Sequence, residues 1–404
     1  MKNTVFILTV GSYGDFFPLL ELSKSLVSQG FNVFFISNEL DVQLSDFESL
    51  NGIQFRSFIP FSEIQVLLTQ TEKKIPSNIN NLQTIFRLFK YIAPYNHSLE
   101  LTVQHCLDSC NGPTHFLVHP LLVNPMLVIK ERFNVDYSIV NFSPIVFQLL
   151  WYQALVSPIL SRSFVNNIMS ALFRLTNISL PEKDSKHLIF VSKSIAPRQF
   201  RFKKNVQFSG TIRYDRHQSE NDMYGTLTAD ILSFLEKYPQ PVVATFGTME
   251  GTSLNKKYLF KETIDYMTAK RKPMIVLCKQ DIFDDDIPDH IFVCKFAPLY
   301  QVLKHASVLI YHGGIGTFYT ASLAGIPQII VPSAYDQFVN EKFAKKLGIA
   351  VSIPARKYNQ KRLGFALAKI DGSNSIRSTC KKVQENFQAE DGISAAVQYL
   401  KEYF

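Results

Sequence analysis

Apolar runs of strand length alternate with helical patterns along this chain of 404 residues, and this alternation constrains the fold more than any other feature. Thr4–Val10 is a continuous apolar run, which is typical of a buried parallel strand. Residues 18–29 carry leucines at helical spacing, Gly30 ends that pattern, and Asn32–Ser37 is a second apolar run. A strand, a helix and a strand in this order predict a doubly wound α/β fold on a parallel sheet.

The same unit recurs in both halves of the chain. Strands are predicted at Phe116–Val118, Ser138–Asn141, Val242–Phe246, Met274–Cys278, Ser307–Tyr311 and Gln328–Val331, and helices at Val123–Phe133, Lys261–Thr268 and Gly316–Leu323. Polar residues and two prolines interrupt the pattern before it starts afresh after Gln240. We therefore predict two Rossmann-like domains, at residues 1–215 and 241–385, with a linker at 216–240 and a C-terminal helix at 386–404 that could pack back on the first domain.

The net charge of +8 raises the question of a nucleic-acid partner. The basic excess is divided evenly between the two halves of the chain, whereas nucleic-acid-binding proteins concentrate it on one face or stripe. We therefore predict no nucleic-acid partner. A local basic cluster consists of Arg198, Arg201, Lys203 and Lys204. It is either a solvated loop or a contact with an anionic membrane surface or a phosphate group.

The sequence predicts neither a signal peptide nor a membrane span. The first apolar run lacks a cleavage site of small residues, and the uncharged stretch Tyr137–Ser161 is interrupted by Asn, Gln and Pro. Five cysteines are too few for a disulfide framework in a chain of this length. We expect a cytoplasmic protein, with peripheral membrane contact as an option, and the oligomeric state is left open.

The most distinctive motif is a glycine-rich turn between an apolar strand and a helix, Tyr-His-Gly-Gly-Ile-Gly-Thr at residues 311–317. Glycines let a ligand approach the backbone closely, and the free N–H groups of a helix start favour an anion. His312 and the Thr317 hydroxyl can donate further hydrogen bonds. The motif therefore predicts a phosphate or diphosphate site, with a plain tight turn as the alternative.

An acidic and an amide side chain follow the next predicted strand. Asp336 and Gln337 come after the run that ends at Val331, and each can hold more than one hydroxyl group. Ligands of open parallel sheets bind at the carboxyl ends of the strands. This position favours sugar binding over an ordinary surface loop.

These motifs together resemble the donor-binding signature of the GT-B glycosyltransferases of family 1. The family pattern is His-Gly-Gly-x-Gly-Thr, Gly-x-Pro, Asp-Gln-x-x-Asn and a final Gly, and it is matched here by residues 312–317, 325–327, 336–340 and 348. Residues 11–15, Gly-Ser-Tyr-Gly-Asp, with Pro18, resemble the Gly-(Ser/Thr)-x-Gly-Asp-x-x-Pro loop of one branch. That branch contains sterol glucosyltransferases, antibiotic-aglycone glycosyltransferases and the rhamnolipid rhamnosyltransferase.

The resemblance implies a GT-B fold, in which two Rossmann-like domains face a central cleft. The first domain would bind the acceptor and the second the nucleotide sugar. The residues expected to bind the donor are Thr248, Phe296, Ala297, His312, Gly314, Gly316, Thr317, Asp336 and Gln337. Among these, Asp336 and Gln337 would hold the sugar hydroxyls, Phe296 and Ala297 would pack on the nucleobase, and the others would face the diphosphate.

Asp15 matches the proposed general base of this branch. A carboxylate at a strand end can accept the proton that an acceptor hydroxyl loses as it attacks the anomeric carbon. A role as a helix N-cap is the alternative for Asp15. His119 also follows an apolar strand, and it is a second candidate for the base or an acceptor contact, with a structural role as the alternative. The resemblance also implies that the diphosphate leaves with help from the helix start and His312, without a metal ion.

Aromatic residues are abundant, with 34 Phe beside a single Trp, and many fall in segments that carry no family motif. We expect Phe16, Phe17, Phe147 and Trp151 to contact the acceptor, with an ordinary core position as the alternative for each. The acceptor would then be apolar, such as a lipid, a sterol, a polyketide or a phenolic compound.

The sequence thus predicts an inverting, metal-independent glycosyltransferase that moves a hexose from UDP-glucose to a hydroxyl of a hydrophobic small molecule or lipid. The alternatives are a dTDP-rhamnose-dependent rhamnosyltransferase acting on a lipid, a sugar-nucleotide epimerase and a non-catalytic homologue. Asp284–Asp286 contains an Asp-x-Asp sequence, but it stands in an acidic run before Pro288 and is interpreted as a solvated loop. No metal and no cofactor beyond the nucleotide sugar are expected.

Overall fold

The computed structural model describes residues 2–11, 13–39, 52–60, 62–63, 92–142, 185–195, 204–212, 226–247, 256–278, 287–333 and 336–404. The chain divides into two compact units. Unit 1 comprises Met1–Tyr214 together with Asp391–Phe404, and unit 2 comprises Asp215–Glu390.

Unit 1 is built on a parallel sheet with the order β3-β2-β1-β4-β5-β6-β7 in the part of the chain that the structure describes. Its strands are β1 (Thr4–Leu8), β2 (Asn32–Asn38), β3 (Ile53–Ile59), β4 (Thr114–Val118), β5 (Asp136–Asn141), β6 (Lys186–Ile189) and β7 (Val206–Phe208). The first helices of the unit are α1 (Tyr13–Ser28), α2 (Asn96–Asp108) and α3 (Val123–Phe133). The strand order changes direction between β1 and β4, which makes that position the topological switch point of the sheet.

Both faces of the sheet in unit 1 are covered, which explains why its central strand is apolar throughout. All five residues of β1 are buried. Val5 and Ile7 belong to one hydrophobic cluster, and Phe6 and Leu8 belong to another. Successive side chains of a strand point to opposite faces, so an unbroken apolar run supplies two cores at once.

Unit 2 repeats this architecture with the order β10-β9-β8-β11-β12-β13, again parallel. Its strands are β8 (Val242–Thr245), β9 (Met274–Leu277), β10 (Ile291–Cys294), β11 (Val308–Tyr311), β12 (Gln328–Ile330) and β13 (Ala350–Ser352). Its helices are α4 (Ala229–Lys237), α5 (Lys256–Lys270), α6 (Leu299–Lys304), α7 (Ile315–Ala324), α8 (Gln337–Leu347), α9 (Gln360–Asp371) and α10 (Asn374–Gln388). The switch point of this sheet lies between β8 and β11. The fold class predicted from the sequence, two parallel-sheet Rossmann-like domains, is confirmed.

Helix α1 starts earlier than the sequence predicts. It begins at Tyr13, so Pro18 lies inside the helix and Asp15 lies in its first turn. Proline is favoured in the first turn because it has no N–H to donate, and this preference places the predicted start too late. Asp15 is therefore a helical residue and not the residue that precedes the helix.

The stretch 216–240, predicted as a linker, contains helix α4 within unit 2. Thr228 caps this helix, because its side chain accepts a hydrogen bond from the amide of Ile231. Ile231 and Phe234 are buried. The prolines at 239 and 241 that suggested a linker follow the helix and do not interrupt it.

The last helix, α11 (Gly392–Lys401), belongs to unit 1 although it follows unit 2 in the chain. Ala396, Val397 and Leu400 join the same hydrophobic cluster as residues of β1 and α1. The hydroxyl of Tyr399 forms a hydrogen bond of 2.8 Å with the hydroxyl of Ser138 on β5. Apolar burial and a buried hydrogen bond thus both attach α11 to the first sheet.

Candidate active site

In unit 1, the site begins at Gly11, which follows β1 at the switch point. Its φ of +143° lies in a region that L-residues with a side chain rarely adopt. A Cβ atom at this position would lie 2.3 Å from Oδ2 of Asp15. Glycine is therefore required both by the backbone conformation and by the close approach of the Asp15 carboxylate.

Asn38, at the end of β2, holds Gly11 in place. Its Oδ1 accepts a hydrogen bond of 2.9 Å from the Gly11 amide, and its Nδ2 donates one of 3.3 Å to the Gly11 carbonyl. The side chain also donates to the carbonyl of Glu39 at 3.0 Å, and Asn38 is buried. Sequence reasoning missed this residue, because an Asn that ends a strand carries no signal of its partner 27 positions earlier.

His119 lies beside Asp15, because β1 and β4 are neighbours and their ends are in register, with Leu8 opposite Val118. The backbone amide of His119 donates a hydrogen bond of 2.8 Å to the Leu8 carbonyl. Nε2 of His119 lies 3.7 Å from Oδ1 of Asp15. The two residues that the sequence proposed as alternative bases thus form a pair at the switch point.

The ring orientation of His119 is set by a second hydrogen bond. Its Nδ1 accepts from the amide of Leu121, at 3.3 Å, as the cap of a short 3-10 turn. The ring proton of a neutral His119 is therefore on Nε2, the nitrogen that faces Asp15. The Asp15 side chain is 32% exposed, and that of His119 is 13% exposed, so a substrate can reach the carboxylate.

Phe16 is not an acceptor contact in this structure, and this corrects the sequence prediction. It is only 3% exposed, and its ring packs at 4.8 Å from the ring of Phe35 and 6.4 Å from that of Phe55. Helix α1 turns this side chain towards the sheet, where the hydrophobic cluster of unit 1 lies. Phe17 is partly buried and packs edge-to-face on Phe16 at the border of that cluster.

Several of the predicted residues and segments lie outside the described residues. These are Phe147, Trp151, Thr248, the acidic run Asp284–Asp286 and, in the basic cluster, Arg198, Arg201 and Lys203.

In unit 2, the residues of the glycine-rich motif meet at the other switch point. Thr245 of β8 is paired with Tyr311 of β11, so the segments that follow these strands are adjacent. The ring of His312 lies between two glycines. A Cβ on Gly314 would lie 2.6 Å from Nε2 of His312, and a Cβ on Gly247 would lie 3.1 Å from its Cε1. Both glycines therefore make room for the imidazole ring.

His312 is held as a neutral ring. Burial, together with the smaller effect of the positive charge of Lys256, lowers its pKa to about 4. Its Nδ1 is buried and has no hydrogen-bond partner among the residues that the structure describes. A buried polar atom without a partner is costly, so this nitrogen marks a place for a polar ligand.

The start of α7 supplies an anion-binding geometry next to His312. Gly314 is the residue before the helix, with extended backbone and no side-chain hydrogen bond to the first turn, and that turn carries no acidic residue. The first amide groups of a helix lack intrahelical partners and lie at the positive end of its dipole. At Gly316, a Cβ would meet no atom of the described residues within 4 Å outside its own helix turn, so the space over this residue is open in that part of the structure. Thr317 lies in the same turn and is partly buried.

Asp336 is tied to the glycine-rich turn through Asn340. Nδ2 of Asn340 donates to Oδ2 of Asp336 and to the carbonyl of Gly313, both at 2.9 Å. Asn340 is fully buried, one turn into α8. The predicted sugar-binding carboxylate and the predicted diphosphate turn are thus fixed to each other by one amide.

Gln337 packs directly against the same turn. A Cβ on Gly313 would lie 3.2 Å from the Gln337 carbonyl, and Gly313 has a φ of +96°. Oε1 of Gln337 accepts hydrogen bonds from the amide and the hydroxyl of Ser333, at 2.9 and 3.1 Å. These bonds orient the side-chain amide of Gln337.

The residues expected to contact the nucleobase differ in exposure. Phe296 is 46% exposed, which is unusual for a large apolar ring, whereas Ala297 is 6% exposed. An exposed ring in this segment, just before α6, suits stacking on a planar base.

Lys256 is a further charged residue near this site that the sequence analysis did not select. It is the first residue of α5, and its Nζ donates a hydrogen bond of 3.1 Å to the carbonyl of Gly247. The eight positions between Gly247 and Lys256 contain no motif that would have suggested the contact.

Within the described ranges, no group of three or more His, Cys, Asp or Glu side chains has a geometry that could hold a metal ion. In the same ranges, no helix combines the length and the apolar character needed to cross a bilayer. The predicted uncharged stretch Tyr137–Ser161 begins within strand β5, and its residues from 143 onward are outside the description.

Comparison with known proteins agrees with the motif resemblance. Residues 273–402 match the family model of the erythromycin biosynthesis protein CIII-like C-terminal domain. The sterol 3-beta-glucosyltransferase of Komagataella phaffii is 22% identical over 98% of this chain and 34% of that protein. The chain spans about a third of the length of the curated relatives it matches first.

Solved structures share the fold over the whole chain. The glycosyltransferase of kitacinnamycin superposes with a TM-score of 0.71 at 15% identity, covering 100% of this chain and 99% of that one. The spinosyn rhamnosyltransferase SpnG, solved with thymidine diphosphate, gives a TM-score of 0.69 at 15% identity, covering 99% of this chain and 100% of that one. At such identities the likeness shows the fold, which is the one that the motif resemblance implied.

Proposed function

We propose that this chain is a GT-B glycosyltransferase of family 1 and that it transfers a hexose from a nucleotide-diphosphate donor to a hydroxyl group of a hydrophobic acceptor. The observation that carries the proposal is the pairing of Asp15 with His119 at 3.7 Å, at the switch point of unit 1. A module that only binds a nucleotide sugar has no use for an accessible carboxylate oriented by an imidazole.

In the proposed mechanism, Asp15 accepts the proton of the acceptor hydroxyl as its oxygen attacks the anomeric carbon. The Nε2–H of His119 faces the carboxylate, holds it in position and stabilises its negative charge before the transfer. Attack from the side opposite the diphosphate forms the new glycosidic bond, breaks the bond to the leaving oxygen and inverts the anomeric centre.

The departing diphosphate gains negative charge, and the residues of unit 2 are suited to stabilise it. The amide groups at the start of α7 and the N–H of His312 would donate to its oxygens, while Asp336, fixed by Asn340, would accept from sugar hydroxyls. Electrostatic stabilisation of this kind can replace a metal ion. We therefore propose that transfer requires no metal and no cofactor beyond the donor, and that EDTA leaves the rate unchanged.

UDP-glucose is the first choice of donor, and a sterol or another apolar alcohol is the first choice of acceptor class. The name of the Komagataella relative, a sterol 3-beta-glucosyltransferase that is 22% identical, supports the glucose and the sterol. The second candidate is dTDP-rhamnose, which the likeness to the spinosyn rhamnosyltransferase with bound thymidine diphosphate favours. A panel of nucleotide sugars incubated with mixed lipid, sterol and phenolic acceptors, and read by mass spectrometry, separates these donors.

The base assignment is tested by Asp15→Asn. We expect transfer to fall by at least about a hundredfold, while the dissociation constant of UDP stays within about twofold of wild type. Glu21→Gln, on the same helix, is the matched control and should keep normal activity. Full activity of the Asp15→Asn protein would contradict the assignment.

The epimerase and the non-catalytic alternatives give different results in the same assays. An epimerase would convert the donor sugar without any acceptor, and a non-catalytic homologue would bind UDP without consuming UDP-glucose. For a lipid acceptor, we also propose a cytoplasmic protein that contacts the membrane surface peripherally. Sedimentation with vesicles that contain anionic lipid tests this contact, and it should weaken as salt is raised.

A further inference from the structure

Lys256 places a positive charge at the amino end of α5. It is the first residue of α5, where the helix dipole is positive, and no acidic residue lies in the first turn of this helix. Cations are stabilised at the carboxyl end of a helix and destabilised at its amino end. Lys257 follows directly, so two positive charges stand at this helix start.

The ammonium group of Lys256 is held at the diphosphate turn. The 3.1 Å hydrogen bond from its Nζ to the Gly247 carbonyl places the ammonium group next to Gly247, and Gly247 packs against the ring of His312. An ammonium group has three N–H donors, so one group can bond this carbonyl and a phosphate oxygen together. Because Gly247 follows β8 and His312 follows β11, Lys256 lies at the switch point of the sheet, where ligands of such folds bind.

The site needs a positive charge that His312 does not provide. With a pKa lowered to about 4, His312 is neutral at physiological pH and offers an N–H dipole only. A nucleoside diphosphate carries more than one negative charge, and the dipole of α7 corresponds to about half a positive charge. The buried Nδ1 of His312, which has no partner in the described part of the chain, independently indicates a ligand at this turn.

We propose that Lys256 binds the diphosphate of the donor and stabilises its charge as it leaves the sugar. This inference rests on the proposed function and deepens it. It names the residue that would supply the positive charge in a transfer that we propose to need no metal ion. Lys256 would act on binding and on the transfer step alike, since the charge on the leaving oxygen increases as the bond breaks.

A purely structural role for Lys256 is distinguishable from this one. If the residue only fastened the Gly247 carbonyl, its loss would loosen the turn whatever the ionic strength. If it binds the diphosphate, its loss removes one charge-charge contact. The salt dependence of UDP binding then becomes shallower, and an arginine restores most of the affinity.

The experiment measures UDP binding to the full chain by calorimetry, at low and at moderate salt, for Lys256→Gln, Lys256→Arg and Lys257→Gln. We expect Lys256→Gln to weaken UDP binding about tenfold at low salt and less at moderate salt, with an unchanged melting temperature. Lys256→Arg should stay within about threefold of wild type. The exposed neighbour Lys257 is the matched control, and Lys257→Gln should bind UDP within about twofold of wild type.

Three results overturn the inference. One is a Lys256→Gln protein that binds UDP as tightly as wild type. Another is an equal loss at every salt concentration together with a lowered melting temperature, which shows a structural role. If wild-type protein binds neither UDP nor dTDP, the proposed function fails first and the inference fails with it, so the two failures are told apart by the wild-type measurement alone.

Discussion

Each glycine that follows β8 or β11 is needed for its own physical reason. Gly314 and Gly247 leave room for the ring of His312, and Gly313 leaves room for the backbone of Gln337. Gly316 is different, because a methyl group there would touch no atom within 4 Å beyond its own helix turn among the residues that the structure describes. In the proposed function, the open space over Gly316 is where the diphosphate lies.

This difference predicts opposite effects on folding and on binding for Gly316→Ala. Alanine in place of a helical glycine should stabilise the fold by up to about 1 kcal/mol, because the unfolded chain loses more freedom with glycine. UDP binding should weaken by at least about tenfold, since the added methyl group separates the diphosphate from the amides of α7. Thermal unfolding and calorimetric titration of the same sample measure both effects.

Gly314→Ala is the matched comparison within the same turn. Its added methyl group would lie 2.6 Å from Nε2 of His312, so this variant should lose stability and UDP affinity together. If Gly316→Ala keeps wild-type UDP affinity, the diphosphate does not approach this helix start.

A second residue-scale prediction concerns Asn38, which holds both polar groups of Gly11. Asn38→Ala leaves these buried groups without their partner, at a cost of about 1–3 kcal/mol, and lets the Asp15 carboxylate shift. We expect turnover to fall by at least about tenfold with an unchanged KM for the donor, because the residues proposed to bind the donor lie in unit 2. Steady-state kinetics at varied donor concentration measures the split.

Asn32 provides the control for this experiment at the opposite end of β2. It accepts a hydrogen bond of 2.8 Å from Gln54 and donates one of 3.4 Å to Thr4, far from Asp15 along the strand. Asn32→Ala should lower stability slightly and leave turnover normal. Equal losses of turnover in both variants would mean that β2 acts through general stability and not through the position of Asp15.

The residue types of the site were visible in the sequence, whereas their partners were not. Asp15 and His312 stand in motifs whose spacing predicts chemistry, so both could be selected without a structure. The contact of Asp15 with His119 joins residues 104 positions apart, and it depends on the pairing of β1 with β4. Phe16 was assigned to the acceptor because it stands beside Asp15 in the sequence, and the helix that turns it into the core begins earlier than the sequence predicts.

At the scale of elements, the apolar strands in the middle of each sheet were predictable, and the strands towards the edges were mostly not. Every strand predicted from an apolar run is present, because a central strand buried on both faces must be apolar throughout. Strands β3, β6, β7, β10 and β13 were missed. β3 and β7 alternate buried with more exposed residues, and β13 has only three residues, all partly exposed. Such segments depend on the sheet that they join.

Helix α11 is held to unit 1 by a buried polar network that should respond to acid. The ring of His115 on β4 stacks on Tyr403 at 3.9 Å, and its Nε2 is 2.9 Å from the hydroxyl of Ser138, which bonds Tyr399. Burial lowers the pKa of His115 to about 3, and the nearby charge of Lys186 acts in the same direction. The folded protein therefore keeps this ring neutral.

The pH dependence follows from the difference between the folded and unfolded states. Below about pH 6.5, the unfolded chain takes up a proton at His115 that the folded chain does not accept until about pH 3. The contribution of this residue to stability is complete above pH 6.5 and decreases as the pH falls, by about 2 kcal/mol at pH 5. Urea unfolding followed by circular dichroism between pH 8 and pH 5 measures the slope.

The free energy of unfolding should depend less steeply on pH in His115→Gln, because glutamine does not titrate. The control is His105→Gln, at an exposed position of α2, and it should leave this dependence unchanged. Because urea unfolding of two units can give two transitions, the transition of unit 1 is the relevant one. An identical slope in wild type and His115→Gln would show that protonation of this ring does not oppose folding.

At the scale of the whole molecule, both sheets follow the same pattern of strand order, and the candidate site residues of each unit lie at the switch point of its own sheet. The sequence predicted this organisation because each strand-helix-strand unit leaves a local periodicity, and a motif directly after a strand marks the binding edge. The position of α11 in unit 1 does not follow from such a local pattern. It arises from contacts between residues separated by about the length of unit 2, and no local pattern encodes them.

The discontinuous composition of unit 1 predicts an asymmetric response to truncation after Glu390. This change removes Val397, Tyr399 and Leu400 from the cluster that contains β1 and α1. Losing the burial of each large apolar side chain costs about 1.5–3 kcal/mol, so unit 1 should become sensitive to protease. The cluster of unit 2 includes no residue of α11, so UDP affinity should stay within about threefold of wild type.

The reciprocal variant, Leu363→Ala, opens a cavity in the core of unit 2. It should lower the temperature at which UDP binding is lost, while unit 1 stays resistant to protease. Limited proteolysis with mass spectrometry locates the cleavage sites, and calorimetry gives the affinity for UDP. Loss of UDP binding in the truncated chain would show that donor binding depends on unit 1. In that case the motif residues of unit 2 would not be sufficient for the donor site, and the assignment of one substrate to each unit would have to be abandoned.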